Sequence, residues 1–187
     1  MGNAAAATKP STVLTALFRD MTSAEPAYQA ALALGYDAAE INVLMSEQTR
    51  TSYLATTHAN TPLGQKAAEP APEASKSADK LGGPAGGTMG TVAPAIAAVG
   101  AALLVPGLGL AVAGPIAIAL TAAGAVGVAT GLIGALTNWG IPKDRAEQYH
   151  NSVRKGGVVI GIATKSDADT RELARRWREL GGEMIDA

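Results

Sequence analysis

The sequence GVVIGIAT, residues 157–164, is a run of β-branched and apolar residues between glycine and polar neighbours, and it predicts a β-strand. The residues that follow predict a helix, because Ser166 and Asp169 have the spacing of a capping box and a glycine pair at 181–182 closes the segment. EMID, residues 183–186, predicts an edge strand. The C-terminal part of the chain is therefore predicted to form a strand–helix–strand unit.

The N-terminal part of the chain repeats this order. TVLTALF (residues 12–18) and INVLMS (residues 41–46) predict two strands, and Thr22 with Glu25 has capping-box spacing for a helix between them. Two βαβ units predict an α+β fold, a ferredoxin-like βαββαβ sandwich with two helices on one face of a four-stranded sheet. Strands 2 and 3 of that fold are normally joined by a short hairpin, but here residues 47–156 lie between them.

The long insertion divides by composition. Residues 47–88 are rich in Ala, Pro, Ser and Thr without periodicity and predict a linker, whereas the stretch from Leu81 to Pro142 contains no Asp, Glu, Lys, Arg or His. Residues 142–156 predict a connecting helix with one apolar stripe, formed by Ala146, Tyr149 and Val153. The predicted organisation is a flexible arm at 1–11, the first βαβ half at 12–46, a linker at 47–88, an apolar glycine-zipper helical hairpin at 89–140, and the connecting helix with the second half at 141–187.

The apolar hairpin is predicted to consist of two helices that pack through small residues. The first helix is expected over 94–105 and the second over 115–138, about 36 Å at the usual rise. Each interior glycine costs roughly 1 kcal/mol of helix stability relative to alanine, so four along one seam indicate close packing in compensation. The predicted packing and oligomerisation residues are Gly124, Gly127, Gly131 and Gly134 with Ala93, Ala97 and Ala101, and the predicted hairpin turn is Pro106, Gly107, Gly109, Gly114 and Pro115.

Three segments carry a likeness to a known family: VLTALFRDMTSAEPAYQAALALGYDAAEINVLMSEQTR (13–50), VPGLGLAVAGP (105–115) and GLIGALTNWGIPKDRAEQYHNSVRKGGVVIGI (131–162). Together they resemble the heat-induced bacterial general stress proteins of the YflT-like type that carry a glycine-zipper insertion. The resemblance implies a stress-associated protein and brings no catalytic residues with it. One departure is that Pro84 and Pro94 interrupt the Gly/Ala run before the central motif.

The second predicted helix is apolar on every side, so it must be buried on every side, and one small sandwich cannot cover it. The sequence therefore favours a non-enzymatic, stress-associated structural protein that forms a homo-oligomer through its apolar hairpin. A membrane-embedded hairpin with a cytoplasmic ferredoxin-like head is the alternative, since basic residues flank the apolar stretch at Lys76, Lys80, Lys143 and Arg145. A small-ligand sensor is a second alternative, on fold analogy alone.

Composition argues against other classes of protein. The formal net charge of -1 and the pI of about 6.1 offer no basic field for nucleic acid. The chain has no cysteine, which fits a reducing compartment, and we expect a cytoplasmic location, with attachment to the cytoplasmic face of the inner membrane in the membrane alternative. His58 and His150 lack carboxylates at ligand spacing, so no metal, cofactor or catalytic residue is expected.

Overall fold

The computed structural model describes residues 12–68, 102–105, 109–117, 133–134, 136–137 and 140–186. Within these residues there are six strands: β1 (Val13–Phe18), β2 (Ile41–Ser46), β3 (Ala102–Val105), β4 (Leu110–Ala113), β5 (Val158–Ala163) and β6 (Glu183–Asp186). The helices are α1 (Met21–Ala33), α2 (Glu47–Leu54), a 3₁₀ helix (Thr57–Asn60), α3 (Pro62–Ala68), α4 (Lys143–Arg154) and α5 (Asp167–Glu179). Short helical segments also lie at 115–117, 133–134 and 136–137.

The strands form one antiparallel sheet in the order β3-β4-β2-β5-β1-β6. The predicted α+β class, with an antiparallel sheet and helices, is confirmed. The strand order differs from that of the predicted four-stranded sheet, because β3 and β4 come from the insertion and extend the sheet beyond β2.

Both faces of the central strands β1, β2, β4 and β5 are buried. One face packs against α1, α5 and the α2–α3 region, and the other packs against α4 and the helical residues at 115–117 and 136. In β5, Val158, Ile160 and Ile162 belong to the first cluster and Val159 to the second. A sheet covered on both faces takes apolar residues at successive positions, which explains why the strands are continuous apolar runs rather than alternating ones.

The predicted strands of the two halves are confirmed to within one residue at each end. The predicted helix start at Ser166 is also confirmed, since its hydroxyl accepts the Asp169 N–H at 3.1 Å. The predicted cap at Thr22 is wrong because α1 begins earlier: Asp20 Oδ1 accepts the Ser23 N–H at 2.8 Å. Glu25, predicted to close that capping box, lies on the buried side of α1.

The connecting helix is confirmed as α4, and its predicted apolar stripe of Ala146, Tyr149 and Val153 is fully buried. The linker prediction does not hold for residues 47–68, which form α2, the 3₁₀ helix and α3. These helices begin at local polar caps, Ser46 for α2 and Thr56 for the 3₁₀ helix. Three of their apolar residues, Tyr53, Leu63 and Ala67, are buried in the core.

The predicted apolar helical hairpin also differs from the structure where it is described. Residues 102–105, expected to be helical, form β3, which pairs with β4 from Ala102↔Ala113 to Val105↔Leu110. The open edge of β2 supplies main-chain hydrogen-bond partners to β4, and this tertiary pairing outweighs the helical propensity of an Ala-rich sequence. Of the predicted turn residues between these strands, Gly109 has a φ of 61°, and Pro106 and Gly107 lie outside the described residues.

We predict that Val112→Ala destabilises the protein by about 2 kcal/mol, because it removes buried methyl groups from a side chain that is 1% exposed on β4. Urea unfolding measures this loss. Gln148→Ala, at an exposed position of α4, serves as the control and should change stability by less than about 0.5 kcal/mol. Equal stability of the Val112 variant and the wild type would contradict the placement of β4 in the sheet.

Candidate functional site

The candidate site lies directly after β4, where residues 114–117 continue from the sheet into the rest of the apolar stretch. Gly114 has a φ of 97°, and a Cβ atom added there would lie 2.5 Å from the carbonyl oxygen of Ile41 and 2.9 Å from Cα of Asn42. Any side chain at this position would therefore collide with the backbone of β2. Gly114 and Pro115, predicted as part of a hairpin turn, instead mark the change from β4 to the helical residues 115–117.

A buried amide side chain fixes this exit. Asn42 on β2 is 3% exposed, and its Oδ1 accepts the N–H of Ile116 at 2.7 Å. Its Nδ2 donates to the carbonyl oxygen of Gly161 on β5 at 3.4 Å. Asn42 thus connects β2 and β5 to Ile116, in surroundings that are otherwise mainly apolar.

The described residues before position 118 and after position 132 come together at the same point on the sheet. Ile116, Leu136 and Ile141 all line one small apolar cavity against the sheet, about 10 Å³ in volume. A straight helix over residues 115–138 would separate positions 116 and 136 by about 30 Å. The predicted straight helix therefore does not fit the described ends, which the sheet holds next to each other through a shared apolar cluster.

Helix α4 completes the cover over this face. The Tyr149 hydroxyl lies 2.8 Å from the Thr15 hydroxyl of β1 and donates to the carbonyl oxygen of Met184 at 3.1 Å. Arg145 Nη1 donates to the same carbonyl at 2.7 Å. Met184 has a positive φ of 52°, so the two side chains bind the one described non-glycine residue with a left-handed backbone and hold β6 on the sheet.

Of the residues predicted for packing and oligomerisation, the structure describes Gly134. It is exposed and helical, and a Cβ atom added there would meet no described atom within 4 Å. The remaining predicted packing residues lie outside the described part of the chain: Gly124, Gly127, Gly131, Ala93, Ala97 and Ala101.

A polar network joins the two halves of the chain near the start of α5. The buried Tyr36 hydroxyl donates to Asp169 Oδ2 and accepts the Lys165 N–H, both at 2.8 Å. Lys165 Nζ lies 4.5 Å from the centre of the Tyr36 ring and 2.9 Å from Glu40 Oε2. Burial, with the nearby carboxylates, raises the pKa of Tyr36 to about 12, and the hydrogen bond from Lys165 lowers the pKa of Glu40.

A second network attaches the α2–α3 region to α1. Glu25 is 8% exposed, and its carboxylate accepts from Gln29 Nε2 at 2.7 Å and from the Tyr53 hydroxyl and the Leu63 N–H at 3.2 Å. Burial raises the pKa of Tyr53, so its hydroxyl stays protonated and donates to the carboxylate. His58 stacks on the Tyr53 ring with 5.0 Å between ring centres. The hydrogen bonds of Glu25 therefore hold α2 and α3 against α1.

Several kinds of site can be compared with the described residues. In this part of the chain, no three His, Asp or Glu side chains are arranged to hold a metal ion. Among the described helices, none has the length and apolar character needed to cross a membrane. The cavity at Ile116 has room for about one water molecule, and a wide polar groove beside α2 is open to solvent.

No protein-family model, curated protein or solved structure matches the chain. Function must therefore be argued from the residues themselves. Sequence reasoning missed Asn42 and Tyr36, although one signal was visible: Asn42 is a polar residue inside the otherwise apolar run INVLMS, where a buried amide needs partners.

We predict that Tyr36→Phe lowers the unfolding free energy near pH 7 by about 1–2 kcal/mol, because the Lys165 N–H and the Asp169 carboxylate lose the part-buried hydroxyl that they bind. The neutral hydroxyl is favoured in the folded state, so its contribution is fully present below the ordinary pKa of 10.0 and is lost as the pH rises through about 12. Urea unfolding at several pH values should show that the difference in unfolding free energy between wild type and variant becomes smaller as the pH rises from 10.0 to about 12. A gap independent of pH would contradict this assignment.

Proposed function

We propose that the protein is a non-enzymatic structural protein that assembles into a homo-oligomer through its apolar, glycine-rich region. One observation carries the proposal: both faces of the sheet are already covered by described elements. Within the uncharged stretch from Leu81 to Pro142, residues 109–117, 133–134, 136–137 and 140–142 are described beside this sheet, and 102–105 form β3 at its edge. Further copies of the same chain offer the remaining apolar residues a partner of matching character.

The small residues favour contacts between helices over contacts with lipid. Glycines at 124, 127, 131 and 134 are spaced three, four and three residues apart, which places them along one seam wherever that sequence is helical. Gly134 is exposed, and the space beside it is open among the described residues. A second helix could approach closely at this position.

We also infer that β1, β2, β5 and β6 with α1 and α5 form a ferredoxin-like βαββαβ head, with β3 and β4 inserted. This is supported by the antiparallel neighbours β2-β5-β1-β6 within the sheet and by the helices that follow β1 and β5. A role in stress rests on the resemblance of residues 13–50, 105–115 and 131–162 to general stress proteins. A cytoplasmic location is part of the same proposal.

The positions of Ala117 and Ile133 on the sheet make a membrane-spanning role the weaker alternative. Ala117 and Ile133 belong to one cluster on the head, so residues 118–132 leave and return at the same place. Half of that length, even fully extended, reaches roughly 25 Å. The hydrocarbon core of a bilayer is about 30 Å thick. Self-association therefore explains the described ends better than insertion does.

The proposal predicts that replacing Gly127 and Gly131 together with leucine breaks the assembly, because two large side chains then occupy the seam. Size-exclusion chromatography with light scattering, without detergent, measures the mass of the particle. We expect a discrete oligomer for the wild type and mainly monomer for the variant, with the circular dichroism of the head unchanged.

The matched control places two leucines on the surface of the head, with Ala33→Leu and Ala168→Leu at exposed helical positions. This control should assemble like the wild type. An unchanged particle mass for the glycine variant would remove the seam from the proposal. Wild-type protein that is found only in the membrane pellet and released only by detergent would favour the membrane alternative.

A further inference from the structure

The sheet ends in two edge strands, and the edge at β6 is built against pairing with a further strand. Glu183 on β6 forms an ion pair with Arg19, with 3.0 Å between Glu183 Oε1 and Arg19 Nη2, and Asp186 adds a second negative charge. The register between β6 and β1 is irregular, and Met184 has a φ of 52°. Charges and backbone irregularities of this kind keep another strand from adding to an edge.

The edge at β3 has a different character. Its four residues are Ala-Leu-Leu-Val, without charge or proline, and they lie inside the stretch 81–142 that contains no charged residue or histidine. β3 pairs with β4 in regular register on one side, and no other described strand pairs with its second side. An uncharged edge strand of regular register is a template for a further strand.

The hydrogen bonding of β4 determines which residues of β3 direct their backbone groups outward. The Glu47 N–H donates to the Gly109 carbonyl oxygen at 2.7 Å, and the register of β2 with β4 places these two residues opposite each other. Antiparallel strands bond through alternate residues, so every second residue counted from Gly109 faces β2. Leu110 and Val112 therefore face β3.

The outer side of β3 is complementary to itself. Leu103 and Val105 lie opposite the β4 residues that face β3, so the N–H and C=O groups of Ala102 and Leu104 point away from β4. When a second β3 lies antiparallel to the first with Leu103 opposite its own copy, Ala102 of each strand lies opposite Leu104 of the other. Each of these pairs exchanges two hydrogen bonds, so a two-fold axis beside Leu103 satisfies all of these outward groups on both strands.

The sequence favours a second copy of β3, rather than the preceding residues of the same chain, as the occupant of this edge. Of residues 93–101, directly before β3, five are Ala, one is Gly and one is Pro, which are residue types depleted in strands. The β3 of a second copy, by contrast, is a sequence that already forms a strand on this sheet. It also brings no charge that would oppose the pairing.

We propose that β3 is a docking edge for the β3 strand of a second copy, so that two six-stranded sheets join into one continuous antiparallel sheet. The two strands pair about a two-fold axis beside Leu103. This proposal rests on the homo-oligomer proposed above and adds a contact between the heads. A contact of four residues per copy is small, so it contributes within the assembly and does not hold two copies together by itself.

The first test introduces a single cysteine into the full chain, which contains none of its own. In Leu103→Cys, the cysteine lies opposite its copy in a non-hydrogen-bonded pair, where Cα atoms are about 4.5 Å apart and a disulfide can form. In the matched control Leu104→Cys, the two copies are offset along the strands and their Cα atoms are about 8 Å apart, too far for a disulfide. With oxidised glutathione as the oxidant, we expect Leu103→Cys to form linked dimers about tenfold faster than Leu104→Cys, measured by non-reducing gel electrophoresis.

The second test removes one outward hydrogen-bond donor. Leu104→Pro deletes the N–H that points away from β4, and the hydrogen bonds between β3 and β4 stay in place. Added to Leu103→Cys, this change should slow formation of the linked dimer by about tenfold, because the second strand loses a partner at each end of the pairing. Leu104→Ala, which keeps the N–H, is the control and should leave the rate close to that of Leu103→Cys alone. The circular dichroism of all these variants should match that of the wild type.

Light scattering on the same samples separates failure of the docking edge from failure of the proposed function. Equal rates of linking for Leu103→Cys and Leu104→Cys, in chains that are oligomeric, would overturn the docking edge and leave the proposed function standing. An oligomeric Leu103→Cys that stays unlinked would do the same, since another segment of the chain would then occupy the edge. Chains that remain monomeric at every concentration would contradict the proposed function, and the docking edge with it.

Discussion

The backbone pairing of β5 with β1 on one side and β2 on the other joins parts of the chain that are far apart in sequence. Val13 lies opposite Ala163 and Ile41 lies opposite Ile162, so the first and last thirds of the protein form one sheet. The long insertion must therefore begin and end on the same body. This closure brings Ile116 and Leu136 to one cavity, and it requires the apolar region to return to the place where it left.

Covering the sheet on both faces has a further consequence. The head buries its own apolar residues on both faces, with Trp177 and Tyr28 on one side and Tyr149 on the other, all at most 1% exposed. The polar side chains within these layers make hydrogen bonds across the fold: Asn42 to β5 and Ile116, Glu25 to α3, and Tyr36 to α5. These hydrogen bonds join the described helices and strands into one body, and the self-association that we propose is built on that body.

The sequence predicted the parts of the fold that depend on local signals. Apolar runs bounded by turn residues located β1, β2, β5 and β6, and the serine before α5 located its start. The sequence-based prediction was wrong where contacts between distant parts of the chain determine the structure. The sequence around Ala102–Val105 reads as helical, yet β4 pairs with the open edge of β2 and β3 follows it into the sheet. The role of Asn42 depends on which backbone amide reaches it, and no local pattern encodes that contact.

The most direct test of the account is the mass of the wild-type chain in solution. Sedimentation velocity without detergent, over a wide range of protein concentration, distinguishes a single chain from a defined assembly. We expect a discrete oligomer that forms as concentration rises, because the proposed function assigns the apolar, glycine-rich stretch to contacts between copies. A chain that sediments as a monomer at every concentration would contradict it.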